Sequence, residues 1–310
     1  MFRDIIGHSK LKYAMEIAIL AARKRNEVFG HCLVQGMGGL GKTHILNELC
    51  KELGYYKAIT QGNRLTVPKV KEFLIENSKA ARNAGKPLFA IIDEIHEMTD
   101  DAQDELYYPM DKGEVLTLGQ PVKLGQFCLA GATTDPQELD GKSLVDRFIH
   151  NWYLKPLDIG DLVSLVSNWW LRNETRADWP PMQAIAERSR GIPRLAIKYA
   201  RKARDYASYK GRNEVIKSDV ERIFEELGID SIGLDEIQRK YLTILYESDK
   251  PIGKDALASM LGEIKPSQLT NMVEPYLWQQ GFITSSSRGR ELTERGFQHL
   301  AKEDLWMEKL

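Results

Sequence analysis

HCLVQGMGGLGKTHILNELCKEL, His31 to Leu53, changes character twice in a short space. His31 to Gln35 is a mostly apolar run of the kind a buried parallel strand shows. Gly36-Met37-Gly38-Gly39-Leu40-Gly41-Lys42-Thr43 then fits GxxxxGK[ST]. Beyond it Ile45, Leu46, Leu49 and Leu53 recur at helical spacing. Strand, glycine-rich loop and helix in that order form a phosphate cradle. Successive backbone N–H groups must turn inward, which needs glycine wherever a Cβ would clash or φ is positive. Lys42 is placed to reach the β- and γ-phosphates of ATP and Thr43 to ligate Mg²⁺, while Gly36, Gly38, Gly39, Leu40, Gly41 and His44 line the loop and the helix start.

Two further apolar runs end in polar tips. PLFAIIDEIHEM runs apolar from Pro87 to Ile92 and then reaches Asp93 and Glu94. A carboxylate at the tip of a buried strand beside a phosphate loop can hold the Mg²⁺ water shell, a role for Asp93. Glu94 is placed to polarise a water for in-line attack on the γ-phosphate. GQFCLAGATT is a third buried strand, whose Thr133 and Thr134 can bond the γ-phosphate or the attacking water. Alternating strands and helices from Gly30 to Thr134 predict an α/β parallel sheet with helices on both faces. Ligands of such sheets bind at the carboxyl ends of the strands, where all three tips fall.

Composition excludes several classes. A chain of 310 residues with 28% charged and 43% hydrophobic residues is an ordinary globular one, with room for two or three domains. No apolar run approaches the roughly 20 residues of a membrane helix, and the start MFRDIIGHSK lacks the features of a signal peptide. Cys32, Cys50 and Cys128 are odd in number and widely spaced, so they read as buried thiols of a reducing cytoplasm. With a formal net charge of −1, any nucleic-acid surface must be local.

In order, DEIHEM, LYYPMDKG, GATT, DRF and RSRGIPRLAIKYARKARD look like an AAA+ ATPase and resemble the RuvB family of Holliday-junction branch-migration motors. GLDEIQRKYLTILYE, VEPYLWQQGFI and SSRGRELTERGFQHL resemble that family's C-terminal winged helix, so the likeness runs over nearly the whole chain. It implies that Arg147 in DRF is an arginine finger acting on ATP held by a neighbouring subunit, and hence a ring, as a hexamer. It implies that Arg194 in GIPR is the sensor-2 arginine and that Ile6 and Gly7 pack near the adenine. There are departures. In Gln35-Gly36-Met37-Gly38-Gly39 the prolines of the family's GPPGLGKTT are replaced, and His44 stands where a second threonine is common; Asp135 replaces an arginine, as does Val145. MDKGEVLTLGQPVKLGQF is shorter than the family's hairpin that docks its RuvA partner, and the trimmed lead-in fits a phage or mobile-element member.

The organisation expected is an AAA+ ATPase domain over 1–156, a helical lid over 157–230 and a winged helix over 231–310. DLVSLVSNWWL, MQAIAERS, PRLAIKYARKARDYA and SDVERIFEEL supply four amphipathic lid segments, and Gly228 to Gly233 reads as a linker. Three helices and the hairpin FITSSSRGRELTE follow. In that hairpin Gly289 is expected to make the tight turn, with Arg288 and Arg290 projecting toward a DNA backbone. The function expected is an ATP-dependent DNA helicase acting on branched recombination and repair intermediates. Two other uses of the same parts are a clamp-loader or initiator-like ATP switch and an ATP-gated scaffold whose winged helix binds protein.

Overall fold

The computed structural model describes residues 1–139, 144–248, 250–262 and 264–307. The chain divides into two compact units, Met1–Leu165 with Gly191–Ile197, and Val166–Arg190 with Lys198–Leu310.

The first unit is built on β1 (Cys32–Gln35), β2 (Tyr56–Gln61), β3 (Leu88–Asp93), β6 (Phe127–Thr133) and β7 (His150–Tyr153), with β4 (Glu114–Thr117) and β5 (Gln120–Lys123) forming a separate hairpin. The five-stranded sheet has the order β2-β3-β6-β1-β7 and every pairing in it is parallel. Position in the sheet explains composition. The three central strands are covered on both faces and read as continuous apolar runs, while β2 and β7 at the edges carry polar residues through their length. Successive residues of β3 point to opposite cores. Leu88, Ala90 and Ile92 pack with Leu74 of α3 (Val67–Asn83), whereas Phe89 and Ile91 pack with Met15 of α1 (Ser9–Arg25) and with Leu46 and Leu49 of α2 (Lys42–Leu53). All three cysteines are free and buried in the second of these cores. In the β4–β5 hairpin, Leu118 and Gly119 both have positive φ, the geometry of a tight two-residue turn, and Leu118 is fully exposed.

The second unit holds helices Trp179–Arg188 and Lys217–Glu226, parts of helices Ile159–Arg172 and Pro193–Tyr209, and a short parallel pair, Arg176–Ala177 with Glu214–Val215, that the helical pattern does not announce. Trp170 is buried and its indole N–H donates to the Ala200 carbonyl at 3.0 Å, whereas Trp169 lies under the guanidinium groups of Arg201 and Arg204.

The same unit continues into helices Glu236–Tyr246 and Lys254–Met260, then into Pro266–Gln268, Leu269–Val273 and Glu274–Gln279, with Leu269–Val273 in π geometry. Pro275, two residues beyond Val273, cannot donate an N–H, a sufficient reason for the ladder to open there. Strands Ile283–Ser286 and Gly289–Leu292 and helix Glu294–Met307 complete it, around a core that includes Leu234, Tyr241, Leu257, Leu277 and Phe282.

One expectation is extended and one corrected here. The stretch Gly228–Gly233, expected as a linker, is packed in place: Asp230 is buried, its Oδ1 accepts the Ile232 and Leu234 amides at 3.0 and 2.6 Å, and its Oδ2 lies 3.3 Å from His299 Nε2. Gly289 does not sit in the hairpin turn, which is Ser287–Arg288; it pairs with Ser286 as the first residue of the return strand. A Cβ there would stand 2.4 Å from the Ile252 carbonyl oxygen, so glycine lets a third backbone, bridged through Ile252 and Arg290, close on the strand. No helix among the described residues is long and apolar enough to cross a membrane.

Candidate nucleotide site and nucleic-acid interface

The glycine loop leaves β1 and enters α2. Gly36, Gly39 and Gly41 all have positive φ, and the Gly36 amide still donates to the Thr133 carbonyl at 3.2 Å, so the loop begins as an extension of the sheet. A Cβ on Gly36 would meet the Leu154 carbonyl at 2.9 Å, while one on Gly41 would stand in open space. Gly41 is thus glycine for its backbone alone, a φ of 94° that turns amides inward at the start of α2. Leu40 is buried, and the His44 ring is engaged with the Asp4 carbonyl at 3.1 Å, so what these two can offer a phosphate is main-chain N–H.

Lys42 is buried to 5% exposure; its ammonium donates to the Gly36 and Met37 carbonyls at 2.9 and 3.3 Å and stands 3.9 Å from Glu94. Burial pushes its pKa down, and the carboxylates of Glu94 and Asp93 oppose that shift. Thr43 Oγ1 donates to both oxygens of Asp93, at 3.1 and 3.0 Å. A hydroxyl and a carboxylate held together at the loop form the hard-oxygen pair that suits Mg²⁺.

Glu94 follows β3 in left-handed geometry, φ 47°. Its Oε2 accepts from both the amide and the hydroxyl of Thr134, at 2.9 and 2.8 Å. The Thr133 hydroxyl lies 3.0 Å from His96 Nδ1, and His96 Nδ1 is itself 3.5 Å from Glu94 Oε2. Gly62 and His96 are the members sequence reading passed over. A Cβ on Gly62 would lie 2.2 Å from the Glu94 carbonyl oxygen, so only glycine admits the bend that aims Glu94. Gly62 falls in no recognisable pattern and is defined by what lies opposite it, while His96 stands inside DEIHEM and only the fold shows which side chains it meets.

Arg194 reaches the loop by its backbone, its amide donating to the Gly39 carbonyl at 3.2 Å, and a Cβ on Gly39 would meet Ile192 at 2.9 Å and Arg194 at 3.1 Å. Gly7 has φ 68° and a Cβ there would lie 2.5 Å from the Asp161 carboxylate and 2.7 Å from Leu157, with Ile6 half-buried beside it. The next residue, His8, carries a buried Nε2 without a hydrogen-bond partner, a polar atom free to meet a heterocycle. Arg147 ends a short 3₁₀ turn, where its guanidinium forks onto both oxygens of Asp111 at 3.0 and 2.9 Å and lies 4.4 Å over the Tyr107 ring.

With that geometry in place, likeness to known proteins is specific. Residues 1–154 match the Holliday junction DNA helicase RuvB P-loop domain, 174–230 the RuvB AAA lid domain and 231–301 the RuvB C-terminal winged helix domain. The chain belongs to the RuvB family. The Holliday junction branch migration complex subunit RuvB of Protochlamydia amoebophila is 35% identical over 96% of this chain and 90% of its own. The corresponding subunit of Parabacteroides distasonis is 33% identical over 97% and 89%. Among solved structures, the Thermotoga maritima RuvB Holliday junction branch migration motor superposes with a TM-score of 0.81 at 30% identity, covering 96% of this chain and 95% of that one.

In this RuvB-family winged helix the two wing arginines part company. Arg288 is exposed at the turn, its amide donating to the Ser286 hydroxyl at 3.2 Å. Arg290 does not project outward as expected. Its Nε and terminal nitrogen donate to Glu274 at 2.9 and 3.3 Å, and Glu274, 1% exposed, also accepts from the Tyr241 hydroxyl at 2.9 Å. A buried carboxylate needs a cation, and Arg290 supplies it; two strand residues separated by one share a face, but here Arg288 is at the turn and Arg290 is in the return strand, paired with Glu274.

Proposed function

We propose that this RuvB-family chain is an ATP-driven DNA motor that moves Holliday junctions in recombination and repair. The observation carrying this reading is that Lys42, Thr43, Asp93, Glu94 and Thr134 meet around the glycine loop on one chain with a RuvB winged helix. The chain binds ATP at its P-loop and binds DNA as part of a complex. Loop amides and the Lys42 ammonium hold the β- and γ-phosphates, with Ile6, Gly7 and His8 beside the adenine and Arg194 closing on the loop. A Mg²⁺ ion, held by Thr43 and Asp93, would neutralise charge shared between the phosphates. Glu94 polarises the attacking water, and Thr134, with Thr133 behind it, fixes the carboxylate's aim.

Arg147 belongs to the next subunit's reaction in a ring, with the hexamer as its expected size. The forked hold of Asp111 keeps the guanidinium ordered until that partner's γ-phosphate competes for it. The division into ATPase, lid over 157–230 and winged helix from 231 follows the same reading, as does action in the cytoplasm. A RuvA-like partner would dock on the β4–β5 hairpin, whose exposed Leu118 offers an apolar tip.

The test is purified protein with ATP on a synthetic four-way junction, with and without a junction-binding partner. The parent should dissociate the junction. Glu94→Gln should bind ATP with turnover down about 10²–10⁴-fold, and Lys42→Ala should lose nucleotide binding. A parent that binds junctions and hydrolyses ATP without moving them would replace the motor by an assembly switch.

A further inference from the structure

The segment Ser189–Arg194 contains two consecutive residues in left-handed geometry, Arg190 at φ 57° and Gly191 at φ 75°. Glycine adopts that region freely; an arginine there is uncommon and is kept by what surrounds it. On either side of the peptide bond joining the two, the chain grips different things.

Gly191 and the residues after it are stapled to the nucleotide-binding unit. The Leu157 amide donates to the Gly191 carbonyl at 2.8 Å, and a Cβ on Gly191 would stand 2.4 Å from Pro156. Ile192 and Arg194 press on Gly39, the middle of the phosphate loop, and the Arg194 amide donates to its carbonyl. Any change in the Gly39 peptide as phosphate enters or leaves is therefore felt along residues 191–194.

Arg190 is committed to the winged-helix base. Its Nε donates to the Gly233 carbonyl at 2.6 Å and a second nitrogen reaches the same oxygen. It lies 3.7 Å from the Asp235 carboxylate and 4.7 Å over the Tyr276 ring, and its side chain is 11% exposed. Each partner is itself tied down. Asp235 caps helix Glu236–Tyr246, the Tyr276 hydroxyl donates to the Ile232 carbonyl at 2.9 Å, and Gly233 sits so tightly on Arg188 that a Cβ would fall 2.4 Å from that residue's carbonyl. One side chain thus spans the first residues of the winged helix and its helix Glu274–Gln279, four positions before the arginine whose backbone touches the phosphate loop.

We propose that Arg190 is the positioning residue through which the nucleotide state of the phosphate loop reaches the DNA-binding domain. The proposal rests on the motor reading above for its purpose, though not for its test. Arg190 touches no reacting atom; it converts displacement of residues 191–194 into displacement of the winged helix, because neither its strained backbone nor its forked, stacked head has slack to absorb it.

The experiment measures affinity of the full chain for a fluorescent synthetic duplex with a non-hydrolysable ATP analogue and with ADP, alongside ATPase rate without DNA. The parent should show a ratio of the two affinities of about 5-fold or more. Arg190→Gln should bring that ratio near one with DNA-free ATPase within about twofold of the parent, and Arg190→Lys, which keeps the charge over Tyr276 and loses the fork, should restore part of it. A single glycine inserted between Arg190 and Gly191 leaves every side-chain contact available and loosens only the link, so it should collapse the ratio as well. If Arg190→Gln fails to fold, the insertion decides. A parental ratio in the insertion or in a folded Arg190→Gln protein overturns the proposal, as does a parent whose DNA affinity ignores the nucleotide. Failure of the parent to move a four-way junction, with this ratio present, would instead remove the motor reading and leave Arg190 as the link in a switch.

Discussion

Replacing Arg290 by methionine separates support of the wing from contact with DNA. Glu274 is 1% exposed and has two partners, the Arg290 guanidinium and the Tyr241 hydroxyl. Methionine keeps the stem's packing and removes the cation, leaving a carboxylate sealed from water with one neutral donor. Breaking a buried pair from one side costs about 3–5 kcal/mol, and with the Arg290 side chain 18% exposed the lower end applies. Local opening of the winged helix should then be about 10²-fold more frequent, since each 1.4 kcal/mol is tenfold. The assay is native-state hydrogen exchange at the Glu236–Tyr246 amides, which should exchange faster by that factor while those of α2 and β3 do not change. Adding Glu274→Gln removes the stranded charge and should recover most of the loss. Exchange within about threefold of the parent, together with a flatter salt dependence of DNA binding, would refute this reasoning and return Arg290 to the DNA surface.

Arg288→Ala should leave stability alone and weaken binding to unrelated duplexes equally, flattening the log–log salt slope by about 0.9; loss confined to one sequence would indicate base reading. Arg147→Ala should keep ATP affinity and lose most turnover, and mixing it with Lys42→Ala protein should restore some activity in shared rings, a result that a finger acting within its own subunit does not allow. Asp230 has opposing influences: burial pushes its carboxyl up, while His299 and the Leu234 and Ile232 amides pull it down and prevail. A depressed carboxyl contributes stability that is complete above the unfolded value of 3.8 and is lost as pH falls through the lower folded one. Acid unfolding of the winged helix monitored by circular dichroism should therefore begin at higher pH in Asp230→Asn than in the parent.

The hydrolytic half of this protein was legible in order of residues because its chemistry is local. GMGGLGKT, the Asp93–Glu94 tip and the Thr133–Thr134 tip each end an apolar run buried on both faces, and a parallel sheet brings the carboxyl ends of such runs together without further instruction. Edge strands β2 and β7 were harder to see, since half-exposed strands mix polar and apolar residues and shed the continuous pattern. Nothing in sequence spacing separates Arg288 from Arg290, or a linker from the Asp230 knot. Those roles were decided by partners far along the chain, Glu274 for Arg290, Ile252 for Gly289 and His299 for Asp230. A buried charge or a close backbone approach is a property of what stands opposite. Composition can supply an arginine or a glycine, but only tertiary packing chooses which carboxylate or carbonyl it meets.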